Sequence, residues 1–167
     1  KFICVPDPQK SGHWLVLELE SFKRLRDAGV LGDELKAKFP VDEKNWGNEG
    51  KEFDIFSAKE MIGLEYEPLF DIKALHSKNS YKIYAADFVN TQEGTGVVHI
   101  AVMYGEDDYQ LGKKVGLPQH HTVDEEGKFK KDVPGLAGMY VKAKETEEKI
   151  IGYLESKNLL LKTENYI

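Results

Sequence analysis

The sequence has a single cysteine, Cys4, among 167 residues. That excludes a disulfide framework and a cysteine-ligated zinc site, and it points to a reducing compartment, with cytoplasm as the expectation. The sequence also lacks an apolar run near the roughly 20 residues that a membrane-spanning helix needs. Its first residues do not show the charged, apolar and small-residue order of a signal peptide. A soluble protein with no membrane partner is expected. Nor is there an excess of basic charge: 29 acidic residues against 23 Lys and Arg leave a formal net charge of -6. A module that grips nucleic acid mainly through its phosphates needs a broad basic surface, so that mode is disfavoured. A single-stranded end asks only for local charge and stacking surfaces. Lys113, Lys114, Lys128, Lys130, Lys131, Lys142 and Lys144 offer such charge, although a solvated face is the simpler reading of most of them. Internal repeats and low-complexity tracts are absent too. The length suits one domain able to bury a core without disulfides.

What is present begins with a strand, Phe2-Ile3-Cys4-Val5, stopped by Pro6-Asp7-Pro8 and turned at Ser11-Gly12 onto Trp14-Leu15-Val16-Leu17. Ser21 stands where a helix cap is expected, with Phe22, Leu25, Arg26 and Ala28 at helical spacing up to Gly29. A second short helix is expected over Asp33 to Phe39, and the charged stretch 41–52 reads as an exposed loop. Phe53 to Ser57 suits a strand. The alternation from Ala58 to Phe70 suits a half-buried one, and Tyr81 to Val89 another. Near the end, His120 to Val123 and Lys128 to Lys130 flank an Asp124-Glu125-Glu126-Gly127 turn. Adjacent histidines on a strand face opposite ways, so His120 and His121 make a poor pair of ligands for one metal. A last helix from about Lys144 to Lys157 carries Ile150, Ile151 and Leu154 on one face, with Asn158 as its end signal.

The rest of the chain is organised around Gly94 to Gly112, GTGVVHIAVMYGEDDYQLG. A glycine turn leads into an apolar run holding His99, which reads as a buried strand paired with the preceding one. Gly105 then breaks the run, and Glu106, Asp107 and Asp108 suit the orphan amides and positive end of a helix. By themselves these residues fit an ordinary cap and a hydrogen-bonded core histidine as well as they fit a site. The whole string, however, resembles the signature of the editing domain inserted into isoleucyl-tRNA synthetases. In that family a GTG turn leads to Val-His, then Ala-Pro, then a Gly-acid-Asp segment. Gly63-Leu64-x-Tyr66-x-Pro68-Leu69-Phe70 upstream resembles a second landmark, and VDEEGKF and AGMYVKA follow in the family order. His99 separates this branch from the valine enzymes, which usually place lysine there, and from the leucine enzymes, which place methionine. Val102 departs from the family's usual proline. The family's threonine-rich segment and the HIGH and KMSKS strings of the synthetic site are not in the chain, so a single editing domain spanning 1–167, truncated on its N-terminal side and excised from a larger synthetase, is expected.

The many short strands and few long helices favour a β-rich mixed α/β fold over a doubly wound sheet. The resemblance implies a closed or partly open β-barrel decorated by helices. It implies aminoacyl-tRNA deacylase activity on Val-tRNA(Ile), with valyl-adenylate left open as a further substrate and isoleucine excluded by size. The partners implied are the tRNA(Ile) 3′ acceptor end carrying valine and the rest of the synthetase chain. Asp108 would hold the substrate's α-ammonium, His99 would form the wall that isoleucine cannot pass, and Gly94, Thr95 and Gly96 would bring backbone amides to the terminal adenosine or the ester carbonyl. Glu106 and Asp107 read as capping or solvated acids and Tyr109 as packing. No cofactor or metal is expected in this domain; ATP belongs to the parent's synthetic site. Two other classes stay open: a silent docking module for the acceptor end, and a metal-dependent hydrolase built on His99, Asp107 or Asp108 and His120.

Overall fold

Central strand β1 (Phe2–Pro6) is flanked on both sides, in the order β2-β1-β3, by antiparallel partners β2 (Trp14–Glu18) and β3 (Asp54–Phe56). This is a computed structural model, and it describes residues 1–7, 12–39, 53–90, 94–160 and 163. The loop expected over 41–52 lies outside the described residues. The pairing Ile3↔Leu17 and Val5↔Leu15 keeps the apolar set of β1 and β2 on one face of the pleat. Onto that face fold α1 (Leu19–Asp27) and α2 (Gly32–Lys38). The resulting core joins Ile3, Val5, Leu17, Phe22, Leu31, Leu35 and Phe39. Phe39 stands edge-on to both Phe22 and Phe53, with ring centroids 5.3 Å apart in each pair. Such aromatic edges stabilise by about 0.5–1.5 kcal/mol beyond the area they bury.

Ser21 is not the cap of α1. The chain passes from β2 into the helix without a loop, so Glu18, the last strand residue, takes the cap position, and its carboxylate accepts from the amides of Glu20 at 2.8 Å and Ser21 at 3.1 Å. Ser21 is buried inside the first turn.

The chain falls into two compact units, one of Lys1–Tyr66 with Lys82–Ile100 and one of Glu67–Tyr81 with Ala101–Ile167. In the first unit the strand expected over Ala58 to Phe70 is replaced by a helical turn, α3 (Ala58–Met61). The Glu60 carboxylate accepts from the Ser57 amide at 2.8 Å and hydroxyl at 2.9 Å, which starts a helix where alternation alone reads as a strand. Gly63, at φ 89°, ends it. The strand expected over Tyr81 to Val89 is reduced to a Glu65↔Lys82 bridge flanked by bonds between Gly63, Leu64 and Ile83. Tyr81 itself sits at φ 57°, outside the extended region a strand requires.

The second unit holds α4 (Glu106–Val115) and α5 (Lys144–Ser156). α4 carries Glu106, Asp107 and Asp108 in its first turn, Lys113 and Lys114 in its last, and ends at Gly116 in the left-handed region, so its charges oppose the helix dipole at both ends. Asn79 closes that end by donating from Nδ2 to the carbonyl of Val115 at 2.9 Å. Ile72, Val133 and Leu136 form the core, with Phe70, Phe129, Met139 and Ile150 packed on it. Tyr153 of α5 stacks on Phe70 at 4.9 Å and donates from its hydroxyl to the Leu69 carbonyl. The expected turn at Asp124 to Gly127 is present. Lys130 N donates to Thr122 O, Asp124 N to Lys128 O, and the Asp124 carboxylate accepts from the amides of Glu126 and Lys128. Among the described residues the architecture is mixed α/β with one open, three-stranded antiparallel sheet.

Candidate functional site

The GTG turn belongs to the first unit and is held against α1 and its cap, Glu18. Its Gly94 carbonyl accepts from the Arg24 guanidinium at 2.7 Å, and its Thr95 carbonyl accepts from the Glu18 amide at 2.8 Å. Gly94 and Gly96 lie at φ 64° and 77°. A Cβ at Gly96 would run into the Cβ of Glu18, so only glycine lets the turn come this close. All described peptide bonds are trans, which sets each N–H opposite the carbonyl of its own peptide. With the Gly94 and Thr95 carbonyls directed at Arg24 and Glu18, the amides of Thr95 and Gly96 are directed away from those partners. Neither amide donates to a described residue.

From this turn the chain does not go on into a buried strand. Val97 and Val98 are 46% and 50% exposed, His99 is exposed as well, and residues 94–102 pair with no strand among the described residues. The hairpin expected with residues 81–89 is absent there too. The Thr95 hydroxyl explains the local geometry, because it accepts from the Val97 amide at 3.4 Å and donates to the Val97 carbonyl at 3.2 Å, taking up groups a ladder would need. An exposed His99 is not a core histidine.

The acid segment belongs to the second unit. Asp108, in the first turn of α4, does not cap the helix; its Oδ2 reaches back to accept from the Ala101 amide at 3.0 Å. Between them the Ala101 carbonyl accepts from Tyr104 N at 2.8 Å and the Gly105 carbonyl from Tyr109 N at 2.8 Å, so residues 101–109 form a tight loop that feeds the helix. A Cβ at Gly105 would lie 3.1 Å from Asp108 Oδ2, so a side chain there would press on this carboxylate. Among the described residues no other hydrogen bond to the Asp108 carboxylate is made. Asp107 is exposed, and exposed Glu106 accepts from Gln110 one turn on, in keeping with solvated acids. Val102 places both its methyl groups 2.8 Å from where a Cβ of Gly112 would stand, so this branched side chain packs directly on α4.

The five sequence-derived site residues thus divide between the two units: Gly94, Thr95, Gly96 and His99 in the first, Asp108 in the second. Residues 120–123 form no strand beyond a Val123↔Phe129 bridge, and His120 and His121 meet different partners. His120 Nε2 meets Asp132 Oδ2 at 2.6 Å, and the His121 ring stands edge-on to Tyr104 at 5.9 Å. Among the described residues no group of three or more His, Cys, Asp or Glu side chains has the arrangement to hold a metal ion. Sequence reasoning missed Glu18 and Arg24, which anchor the GTG turn, and Tyr104, whose hydroxyl ties the acid loop to the backbone of Thr122 and Val123. Arg24 and Gly94 are 70 residues apart, so no local pattern signals their contact.

No family model matches the chain. Over 125 residues, 74% of its length, it is 44% identical to the isoleucine–tRNA ligase of Rickettsia felis. It is 44% identical over 117 residues to that of Rickettsia bellii and 42% identical over 125 residues to that of Rickettsia prowazekii. The chain resembles a segment of the isoleucine–tRNA ligases, and the likeness first read from the GTG and acid motifs extends along most of it. It spans about a tenth of the length of these relatives, 10% to 11%.

Proposed function

We propose that the chain is the editing domain of an isoleucine–tRNA ligase, a cytoplasmic hydrolase acting on the ester of Val-tRNA(Ile), with valyl-adenylate left open as a second substrate. The fold that goes with this reading is the helix-decorated barrel that the family resemblance implies. The observation that carries this reading is Asp108: a carboxylate fastened by one oxygen at the head of α4, with the other oxygen left for a cationic group. An ionised carboxylate binds an α-ammonium through a charge-assisted hydrogen bond, which is stronger than a neutral one. Holding the ammonium orients the ester carbonyl for attack by water. Backbone amides such as those of Thr95 and Gly96 suit the developing oxyanion or the terminal adenosine.

The need for such a domain follows from magnitudes. Valine and isoleucine differ by one methylene, and an apolar synthetic pocket gains only about 1–3 kcal/mol from that difference. A second site that admits valine and rejects isoleucine supplies the rest, and His99 is the wall in this reading. The chemistry needs no cofactor, and ATP serves the parent enzyme elsewhere. The test is a deacylation time course on Val-tRNA(Ile) with Asp108→Asn beside the unaltered protein. Loss of hydrolysis with acceptor-end binding retained supports the assignment. Binding without hydrolysis in both proteins would instead make this a docking module.

A further inference from the structure

Arg24 stands on α1 with two acids within helical reach, Glu20 four residues before it and Asp27 three residues after. Neither is its partner. Glu20 pairs with Lys23 at 2.8 Å and Asp27 with Arg26 at 2.7 Å, and among the described residues Arg24 makes no ion pair. Its guanidinium donates instead to the Gly94 carbonyl at 2.7 Å, across 70 residues of chain. The choice of acceptor matters for the peptide that carries it. The Gly94–Thr95 unit is planar and trans, so a bond that fixes its oxygen also fixes where the Thr95 N–H points. A cation on that oxygen draws electron density from the nitrogen, because the two share one resonance system, and makes the N–H a stronger donor. The next peptide has a weaker version of this arrangement, since the Thr95 carbonyl accepts from a neutral donor, the Glu18 amide at 2.8 Å. Thr95 N–H is therefore the more polarised of the two amides in the turn.

We propose that Arg24 is a positioning residue for hydrolysis of the aminoacyl ester, aiming and polarising the Thr95 amide for the oxygen that takes up charge. This rests on the editing reading. Water adds to the ester carbon and the carbonyl oxygen becomes an oxyanion. Collapse of that intermediate restores the C=O bond and expels the 3′ oxygen, which leaves with the proton the water gave up. A fixed donor stabilises the full charge of the oxyanion more than the dipole of the ground-state carbonyl, so its polarisation acts on the transition state and little on substrate binding. Arg24 touches no substrate in this role and works through the peptide it holds.

The test uses the 167-residue chain and its Arg24→Met and Arg24→Lys variants. Labelling glycine with ¹³C at the carbonyl and threonine with ¹⁵N isolates the Thr95 amide, because Gly94-Thr95 is the only Gly-Thr pair in the sequence. Its nitrogen resonance moves upfield in Arg24→Met and returns part of the way in Arg24→Lys. Two ligands that cannot be turned over are then titrated: 3′-deoxy-3′-(L-valylamino)adenosine, with a neutral carbonyl, and adenosine 3′-(1-amino-2-methylpropyl)phosphonate, with an anionic oxygen in its place. Arg24→Met weakens the phosphonate about tenfold, less than the roughly 10²- to 10³-fold lost with a whole donor, and leaves the amide compound unchanged. Arg24→Lys recovers most of the phosphonate affinity. Equal weakening of both ligands makes Arg24 a structural staple and overturns the proposal, as does an unmoved Thr95 resonance in Arg24→Met. A chain that binds both ligands while Arg24→Met holds the phosphonate as tightly removes Arg24 and leaves the editing reading intact. A chain that binds neither ligand and hydrolyses no Val-tRNA(Ile) overturns the editing reading and this role together.

Discussion

Asp108 Oδ2 accepts a hydrogen bond from the Ala101 amide at 3.0 Å, so the acid chosen to bind a substrate ammonium also closes the loop in front of its own helix. The two roles can be separated. Asp108→Asn keeps a carbonyl acceptor for Ala101 and loses the charge, whereas Asp108→Ala loses both. We expect the asparagine variant to keep its melting temperature within a few degrees while Val-tRNA(Ile) deacylation falls about 10- to 150-fold, the equivalent of roughly 1.5–3 kcal/mol for a hydrogen bond to a charge. The alanine variant should lose that activity and stability as well. Full deacylation by the asparagine variant removes Asp108 from the chemistry.

His99 is exposed, so its replacement tests specificity with little penalty to the fold. His99→Ala is expected to let Ile-tRNA(Ile) be hydrolysed while Val-tRNA(Ile) hydrolysis continues. The measurement is deacylation of both substrates side by side. Continued protection of isoleucine contradicts the wall role.

Gly96 is at φ 77° and abuts Glu18, the cap of α1. Gly96→Ala should cost about 1–3 kcal/mol through strained backbone and overlap. Urea unfolding would measure the loss. Gly94→Ala, at φ 64° but with open space around it, is expected to cost less. Equal costs at the two positions would show that contact with Glu18 contributes nothing.

Gly112 and Val102 form a coupled pair. Gly112→Ala would set its methyl 2.8 Å from both methyls of Val102, so it destabilises alone by about 1–3 kcal/mol. In a Val102→Ala background the same change should be nearly neutral. Additive costs in the double-mutant cycle would refute direct contact.

Cys4 gives a pH test. Burial, and then the Asp54 carboxylate on the neighbouring strand, push its thiol above the ordinary value of 9.0. Folding therefore favours the neutral thiol. This group leaves stability unchanged below the unfolded-state pKa and reduces it as the pH rises through the folded one. Iodoacetamide should modify the native chain more slowly than the urea-unfolded chain at pH 8, and Asp54→Asn should speed the native reaction. Equal rates in native and unfolded protein would contradict the shift.

Local patterns carried α4, α5 and the β1–β2 hairpin, because each rests on signals within a few residues. The acids at 106–108 and Gly116 bound a helix whatever surrounds it, and Asn158, at φ 55°, ends the last one as expected. The alternation at 58–70 and 81–89 misled because period alone does not form a ladder. The Ser57–Glu60 bonds and the backbone of Tyr81 take those segments out of the extended form that a ladder needs. The apolar run at 97–102 misled for the same reason, since the Thr95 side chain took up the groups of Val97.

Asp108, His99 and the GTG turn were legible in the sequence as candidates, because their residue types and spacing lie within 15 consecutive positions. What holds them was not. Arg24 on Gly94, Glu18 beside Gly96, and the Tyr104 hydroxyl under Thr122 and Val123 are contacts between segments 18 to 78 residues apart, and no periodicity encodes them. The sequence determined by itself which residues are candidates for chemistry and where α4 and α5 begin and end. Only the tertiary structure decided that the Gly94 and Thr95 carbonyls face α1, that Asp108 is fastened by one oxygen, and that Tyr104 is locked with its ring in solvent. Hydrogen bonds between distant segments form only after the chain has closed the loops between them.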